Sequence, residues 1–273
     1  MFISSASTDY ITHRHFIIEK PLKESFKIHT HGLCEIIFLK EGDVSAIIGE
    51  KTYKLAENNL VIFRPNIPHM IRIDSDKCYD RHNIIFDENK IANNVFNKIS
   101  ENLDVLDCSK NMRLIDLFEK IDYYYQKLGK NDSVNLIDGL IQELIFNLYI
   151  MPVENLCNNL VPVNPIIKKA VEYINSYYTT PITIYDVCKN VSVTKSHLHH
   201  LFIDKMKISP KKYINTKRLS MAQKLILSGE KPSEVYSKCG FNEYVTFSRS
   251  YTKHYGYTPS QKDRIIIDKE IAF

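Results

Sequence analysis

The stretch from Thr183 to Pro259 contains one helix-turn-helix unit written twice, and this repeat constrains the fold more than any other feature. The first copy runs from Thr183 to Phe202 and the second from Lys231 to Tyr251. Val187 pairs with Val235, Val191 with Cys239, and Ser192-Val193 with Gly240-Phe241, all at an offset of 48. One residue is then added in the turn and the offset becomes 49: Leu198 with Phe247, His200 with Arg249, Phe202 with Tyr251. Each copy closes on a hydroxyl-proline pair, Ser209-Pro210 and Thr258-Pro259. A chain built this way carries two readers of duplex DNA.

Helical spacing divides each second helix into two faces. From Lys195 to Lys205, Leu198, Leu201 and Phe202 share one side, and Ser196, His199, His200 and Ile203 share the other. In the second copy Phe247 and Tyr251 fall inside, and Val245, Ser248, Arg249 and Thr252 fall outside. A recognition helix needs this division, one stripe for its partner helix and one for base edges in the major groove. Between the copies, Ser209 suits an N-cap and Pro210 the first helical position. The helix is expected from Lys211 to Ser228, about 27 Å long, enough to hold two readers about one DNA turn apart.

These residues resemble the AraC/XylS family of transcriptional regulators. The resemblance rests on V-C-K-N-V-S-V-T-K-S-H-L-H-H-L-F, on S-P-K-K-Y-I-N-T-K-R-L-S-M-A, and on C-G-F-N-E-Y-V-T-F-S-R-S-Y-T-K-H-Y-G-Y-T-P-S. The chain departs from the family pattern at Met221, at Lys262 and at His199-His200. The resemblance implies DNA contacts from Lys195, Ser196, His199 and His200 in the first reader and from Tyr244, Val245, Ser248 and Arg249 in the second. Arg249 is the leading candidate for direct readout, because a guanidinium pairs bidentately with guanine. Lys189, Lys205, Lys211, Lys253 and His254 are candidates for phosphate contact.

Charge is distributed to match. From Leu160 onward there are 18 Lys/Arg against 9 Asp/Glu, a balance of +9; the preceding part has 18 against 23, a balance of −5, together the +4 of the whole chain. The basic C-terminal part attracts phosphates, and the acidic N-terminal part is not expected to bind nucleic acid. Six scattered cysteines without a C-x-x-C pair argue against a disulfide framework or zinc knuckle. With no long apolar run and no cleavable leader visible, a cytoplasmic protein without membrane contact is expected.

The N-terminal part reads as short strands broken by turns. Glu35–Leu39, Val44–Ile48, Thr52–Leu55, Leu60–Phe63, Met70–Ile73 and His82–Phe86 are separated by Gly, Asn and Pro turn signals. The first sixteen residues are compatible with a mobile arm or an edge strand. The strands suggest a barrel or sandwich. His29-x-His31, Glu35 four residues on, Gly42, and His69 in P-N-I-P-H resemble the motifs of cupin barrels. That resemblance implies an effector site formed by His29, His31, Glu35 and His69. A metal at the same four residues (as in cupin enzymes) and simple barrel packing are its alternatives. No catalytic residue and no cofactor is assigned: the second motif lacks its glycine after the proline, and no further cluster supplies a general acid or base.

Two amphipathic helices are expected next. Ser109 would cap the first, with Leu114, Leu117, Phe118, Ile121, Tyr125 and Leu128 on one face, ended by Gly129. Asp132 or Ser133 would open the second, with Val134, Ile137, Ile141, Leu144, Ile145 and Leu148 as its stripe. They offer a dimer interface, packing on the barrel, or both. The expected architecture is a multi-domain α and β chain: a cupin-like effector-sensing β-barrel over 1–88, a helical dimerisation subdomain over 89–151, a linker over 152–164, and an all-α domain over 165–273 with two helix-turn-helix motifs joined by a linker helix. The expected function is effector-responsive regulation of transcription. The expected partners are double-stranded promoter DNA, a small-molecule effector of the sugar kind, a second copy of the chain, and RNA polymerase. A metal-dependent cupin enzyme with a DNA-binding tail, and an effector-independent regulator with a scaffold barrel, are the alternatives.

Overall fold

The computed structural model describes residues 1–22, 28–49, 51–65, 67–151, 164–206 and 208–261. Residues 152–163 of the expected linker and residues 262–273, Lys262 among them, lie outside them. Among the described residues nine strands come first: β1 (Phe2–Ser7), β2 (Ile11–Ile18), β3 (Cys34–Glu41), β4 (Val44–Ile48), β5 (Lys51–Lys54), β6 (Asn59–Phe63), β7 (His69–Ile73), β8 (Tyr79–Phe86) and β9 (Val105–Asp107). They pair antiparallel as one sheet in the order β1-β2-β8-β3-β6-β9 and a second in the order β5-β4-β7. The first residues are therefore an edge strand, with Phe2 opposite Phe16. β9 has no counterpart in the sequence reading; three residues are too few for alternation to register.

Alternation along β3 sets the two cores. Ile36 and Phe38 face outward with Leu60, Ile62, Ile84 and Phe86, and pack under Leu117, Phe118, Ile141 and Leu144. Ile37 and Leu39 face inward with Val44, Ala46, Val61, Phe63 and Ile71. A strand buried on both faces reads as a continuous apolar run, which is how Glu35–Leu39 looks. Glu35 shares the inward face with Ile37 and Leu39, since side chains alternate with period two.

The helical part is α1, Met112–Ile150, interrupted where Gly129 adopts φ 77°, ψ 176°. The break falls at the expected glycine, but the caps differ. Asn111, not Ser109, accepts from the Leu114 amide at 3.3 Å. Ser133 lies inside the first turn after the break, and its hydroxyl donates to the Gly129 carbonyl at 2.6 Å instead of capping. Leu128, expected on the buried stripe, is 43% exposed, because the helical path ends one residue later. The other stripe residues pack against the sheet, Tyr125 and Val134 only partly buried.

The C-terminal domain comprises α2 (Pro165–Tyr177), α3 (Ile184–Val191), α4 (Lys195–Met206), α5 (Pro210–Leu227), α6 (Pro232–Lys238) and α7 (Tyr244–Tyr255). Asn164 caps α2, accepting from the amides of Ile166 and Ile167, ahead of Pro165. Ser209 caps α5 through the Lys212 amide at 3.2 Å. No helix among the described residues is long and apolar enough to cross a membrane.

Candidate functional site

The repeat survives into geometry. α4 and α7 are each 12 residues, and both of their ends are 49 positions apart. A capping box fixes the entry to α3: the Thr183 hydroxyl accepts from the Asp186 amide, and the Asp186 carboxylate accepts from the Thr183 amide at 2.8 Å. Each copy then turns on a left-handed residue, Ser192 (φ 56°) and Gly240 (φ 81°), at equivalent positions. Only the second must be glycine, because a Cβ there would lie 2.8 Å from the Tyr178 carbonyl oxygen and 2.9 Å from that of Thr179.

Leu198, Phe202 and Met206 bury the inner face of α4, and Phe247 and Tyr251 that of α7. Cys188 and Cys239 are buried in the same two reader cores. Lys195, Ser196, His199, His200, Tyr244, Val245 and Arg249 are exposed, and Ser248 is half-buried. Tyr244 also packs its ring edge on Tyr236 at 5.9 Å, so it shapes the reader as well as facing outward. Between the readers lies a cleft of about 1440 Å³ bordered by Lys189, Lys195, Lys211, Lys212 and Lys253, with Thr246 and Ser250 from α7. Thr246 and Ser250 were not singled out from the sequence; their exposure depends on how α7 is rotated against α5. Arg218 serves structure, donating to the Tyr178 and Thr180 carbonyls at 2.7 and 2.8 Å.

In the barrel, the four singled-out side chains come together. His31 Nε2 lies 3.3 Å, His69 Nε2 3.0 Å and His29 Nε2 3.8 Å from one oxygen, Glu35 Oε2. The far nitrogens of two rings are tied back: His31 Nδ1 to the Leu33 carbonyl at 2.9 Å, His69 Nδ1 to the Ile67 carbonyl at 2.7 Å. Asn83 Nδ2 donates to Glu35 Oε1 at 2.6 Å, and Phe63 stacks on His69 at 4.4 Å. Burial alone would raise the Glu35 carboxyl, but hydrogen bonds from the three histidines outweigh it and hold it well below the carboxylate range. Burial, with the neighbouring His29, pushes His69 down to about 4.

A second polar cluster lies between the sheet and α1. His15 Nε2 meets Asp80 Oδ1 at 2.7 Å and His15 Nδ1 meets Asp122 Oδ2 at 2.8 Å. Burial opposes a charged ring there, yet both carboxylates bind it, and the His15 pKa is raised. Ser4 donates to Asp122 at 2.6 Å, and His13 Nε2 contacts His82 Nδ1 at 3.0 Å. Burial pushes His13 down to about 3 and His82 well below its usual value. The sequence gives no direct sign of this cluster, whose members are scattered from Ser4 to Asp122. A carboxylate at Asp122, next to Ile121 on the apolar stripe, is the one available hint.

The comparisons with known proteins agree with this geometry. Residues 17–102 match the family described as AraC-like ligand binding domain, and residues 187–264 match a helix-turn-helix domain family. The lactose operon transcription activator of Staphylococcus xylosus is 30% identical over 149 residues, 54% of this chain and 53% of that protein. The raffinose operon transcriptional regulatory protein RafR of Pediococcus pentosaceus is 29% identical over 133 residues, 48% of each. The chain spans about half the length of these two relatives. The HTH-type transcriptional activator RhaR of Cronobacter sakazakii is 21% identical over 243 residues, 86% of this chain and 85% of that protein. The chain thus carries an AraC-like ligand-binding domain followed by a helix-turn-helix domain, and it is similar to proteins named as transcriptional activators and regulators.

Proposed function

We propose that this protein is a sequence-specific, DNA-binding regulator of transcription whose barrel senses a small polar effector. The carrying observation is the pair of equal-length reader helices, each with one buried apolar face and one exposed polar face, flanking a basic cleft. Direct readout falls to Ser196, His199 and His200 in the first reader and Val245, Ser248 and Arg249 in the second, with Lys195 and Tyr244 at their edges. His29, His31, Glu35 and His69 form the effector site. Two relatives are named for sugar operons, which supports a sugar or similar polyol as effector. The protein acts in the cytoplasm as a homodimer, with RNA polymerase as a further partner. Leu136, Tyr149 and Ile150, which leave apolar surface open on α1, contribute to the dimer contact.

Selection from random duplex DNA at two salt concentrations tests the DNA reading. The expected result is a bipartite site with about 10 bp between its halves. Arg249→Ala should weaken it by about 1–3 kcal/mol and relax the preference at one base pair. Binding that enriches no sequence and varies only with salt would sink this reading.

A further inference from the structure

The outer face of the smaller sheet is polar except at two neighbouring positions. Cross-strand partners in a ladder point the same way, so Ser45 stands with Lys54 and Arg72, and Ile47 with Thr52 and Met70. The other side of these strands, Val44, Ala46, Tyr53, Ile71 and Ile73, fills the barrel. Ile47 and Met70 therefore point away from the barrel core, yet they are only 2% and 1% exposed. The first reader covers them. With Ile28 they share one apolar cluster with Ile167 and Ile174 of α2 and with Phe202 and Met206 of α4.

The two readers differ in this respect. Among the described residues, the apolar cluster of the second reader is drawn entirely from α5 onward and takes nothing from the barrel. The barrel touches that half at its edge, where the backbone of Thr30 hydrogen-bonds His254 of α7 and Gly32 lies against Gln223 of α5. The seam with the first reader also shares its backbone with the candidate effector site. Ile28 precedes His29, Met70 follows His69, and paired backbone bonds of 3.0 and 2.9 Å join His29 to His69. Neighbouring side chains on extended chain point to opposite sides. One side of this bridge thus carries two rings of the four-residue cluster, and the other carries two of the seam residues. Adjacent α-carbons are held at a fixed separation, so a ligand that re-sets His29 or His69 also displaces Ile28 or Met70.

We propose that the barrel controls the first reader alone: Ile28, Ile47 and Met70 complete its core and pass the state of the site at His29 and His69 to the half-site that α4 reads. The second reader holds its half-site autonomously. The seam leaves Lys195, Ser196, His199 and His200 exposed, so it supports the first reader and does not mask it. Loosening the seam therefore weakens one half of the DNA site. This control rests on the regulator reading above, while the dependence of α2 and α4 on the seam does not.

The test uses the full chain and Ile47→Lys. A lysine suits a face that already carries Lys54 and Arg72, so the barrel keeps its fold, but under the seam the charge would be buried without a partner. Without DNA, amide hydrogen exchange is expected to quicken by about tenfold or more in α2 and α4 and to stay as in the parent in α6 and α7. Met70→Lys, across the ladder, should reproduce this, and Ile47→Leu, apolar and of similar volume, should not. On the selected duplex, Ile47→Lys should lose its footprint over one half-site only, the one whose preference Arg249→Ala leaves intact. Affinity should fall by about tenfold, and no further when that half is scrambled, because both changes remove one interaction. Coupling is reciprocal, so the intact duplex should slow exchange at the His29 and His69 amides by about fivefold, and a duplex with that half scrambled should not. Quickened exchange in both readers, or in neither, overturns the proposal. So does a footprint lost or kept over both halves, or His29 and His69 amides that respond alike to the two duplexes. If no DNA sequence is enriched while α2 and α4 alone loosen, the regulator reading fails and takes the half-site control with it, leaving the seam standing.

Discussion

The barrel holds two clusters of histidine and carboxylate that look alike in composition and are opposite in balance. Between the sheet and α1, one ring, His15, lies between two carboxylates, Asp80 and Asp122, with Lys40 Nζ 4.0 Å from the latter. At the mouth of the barrel, three rings crowd one carboxylate oxygen, that of Glu35. Around His15 the first arrangement is closed, with an acceptor for each ring nitrogen and a matched imidazolium charge, although the neighbouring His13 Nδ1 and His82 Nε2 are buried without a hydrogen-bond partner. The second is the more open, with three rings on one carboxylate oxygen. The His29 side chain of the second is 37% exposed and that of His15 in the first is 3%, so the two clusters differ in depth as well as in the ratio of rings to carboxylates.

This contrast is broken most directly at Asp122. Asp122→Asn leaves His15 buried with one charge partner instead of two, and is expected to cost about 3–5 kcal/mol in urea unfolding. A loss under about 1 kcal/mol would mean that the closed cluster does not hold α1 to the sheet. Ser4→Ala removes only the hydroxyl that donates to Asp122 at 2.6 Å. Its expected cost, by the same measurement, is about 1.5–3 kcal/mol, the range for a buried hydrogen bond to a charged group.

The two clusters were also unequally legible. His29, His31, Glu35 and His69 stand within 41 positions in a motif with recognisable spacing, and the structure brings all four together. The readers were legible for a similar reason: a repeat with a one-residue insertion fixes two helices in register, and α4 and α7 match it residue for residue. The closed cluster was not legible, because β-pairing assembles it. His15 meets His82 only through the register of β2 on β8, and Asp122 reaches them only once α1 lies across the sheet. Cap positions failed on a smaller scale. Asn111 rather than Ser109 starts α1, a competition between neighbouring polar residues that local sequence leaves nearly even.

Titration sharpens the comparison. His13 is pushed down to about 3 and His69 to about 4, so between about pH 4 and 6.5 the folded chain binds fewer protons at these rings than the unfolded chain. Each such ring makes stability climb with pH by about 1.4 kcal/mol per unit in that window, complete above 6.5. His15 works the other way: its raised pKa gives stability that is present below 6.5 and lost as pH rises through the folded value. Asp122, held low by His15 and Ser4 against its burial, stabilises above the unfolded carboxylate value and loses that as pH falls through its folded pKa. His13→Gln should therefore flatten the climb, by about 2 kcal/mol between pH 5 and 6.5, in urea titrations at stepped pH. An unchanged slope would show that His13 is charged in the folded chain.

The smallest expected effect is at the open cluster. Glu35→Gln should unfold within about 1 kcal/mol of the parent in urea. The amide keeps an oxygen for Asn83 and offers its NH2 to a ring nitrogen in its unprotonated form, which offsets the lost charge. A costly Glu35→Gln would mean that the hydrogen bonds of the three histidines to the ionised carboxylate hold the barrel together there. The open cluster would then be as self-sufficient as the closed one.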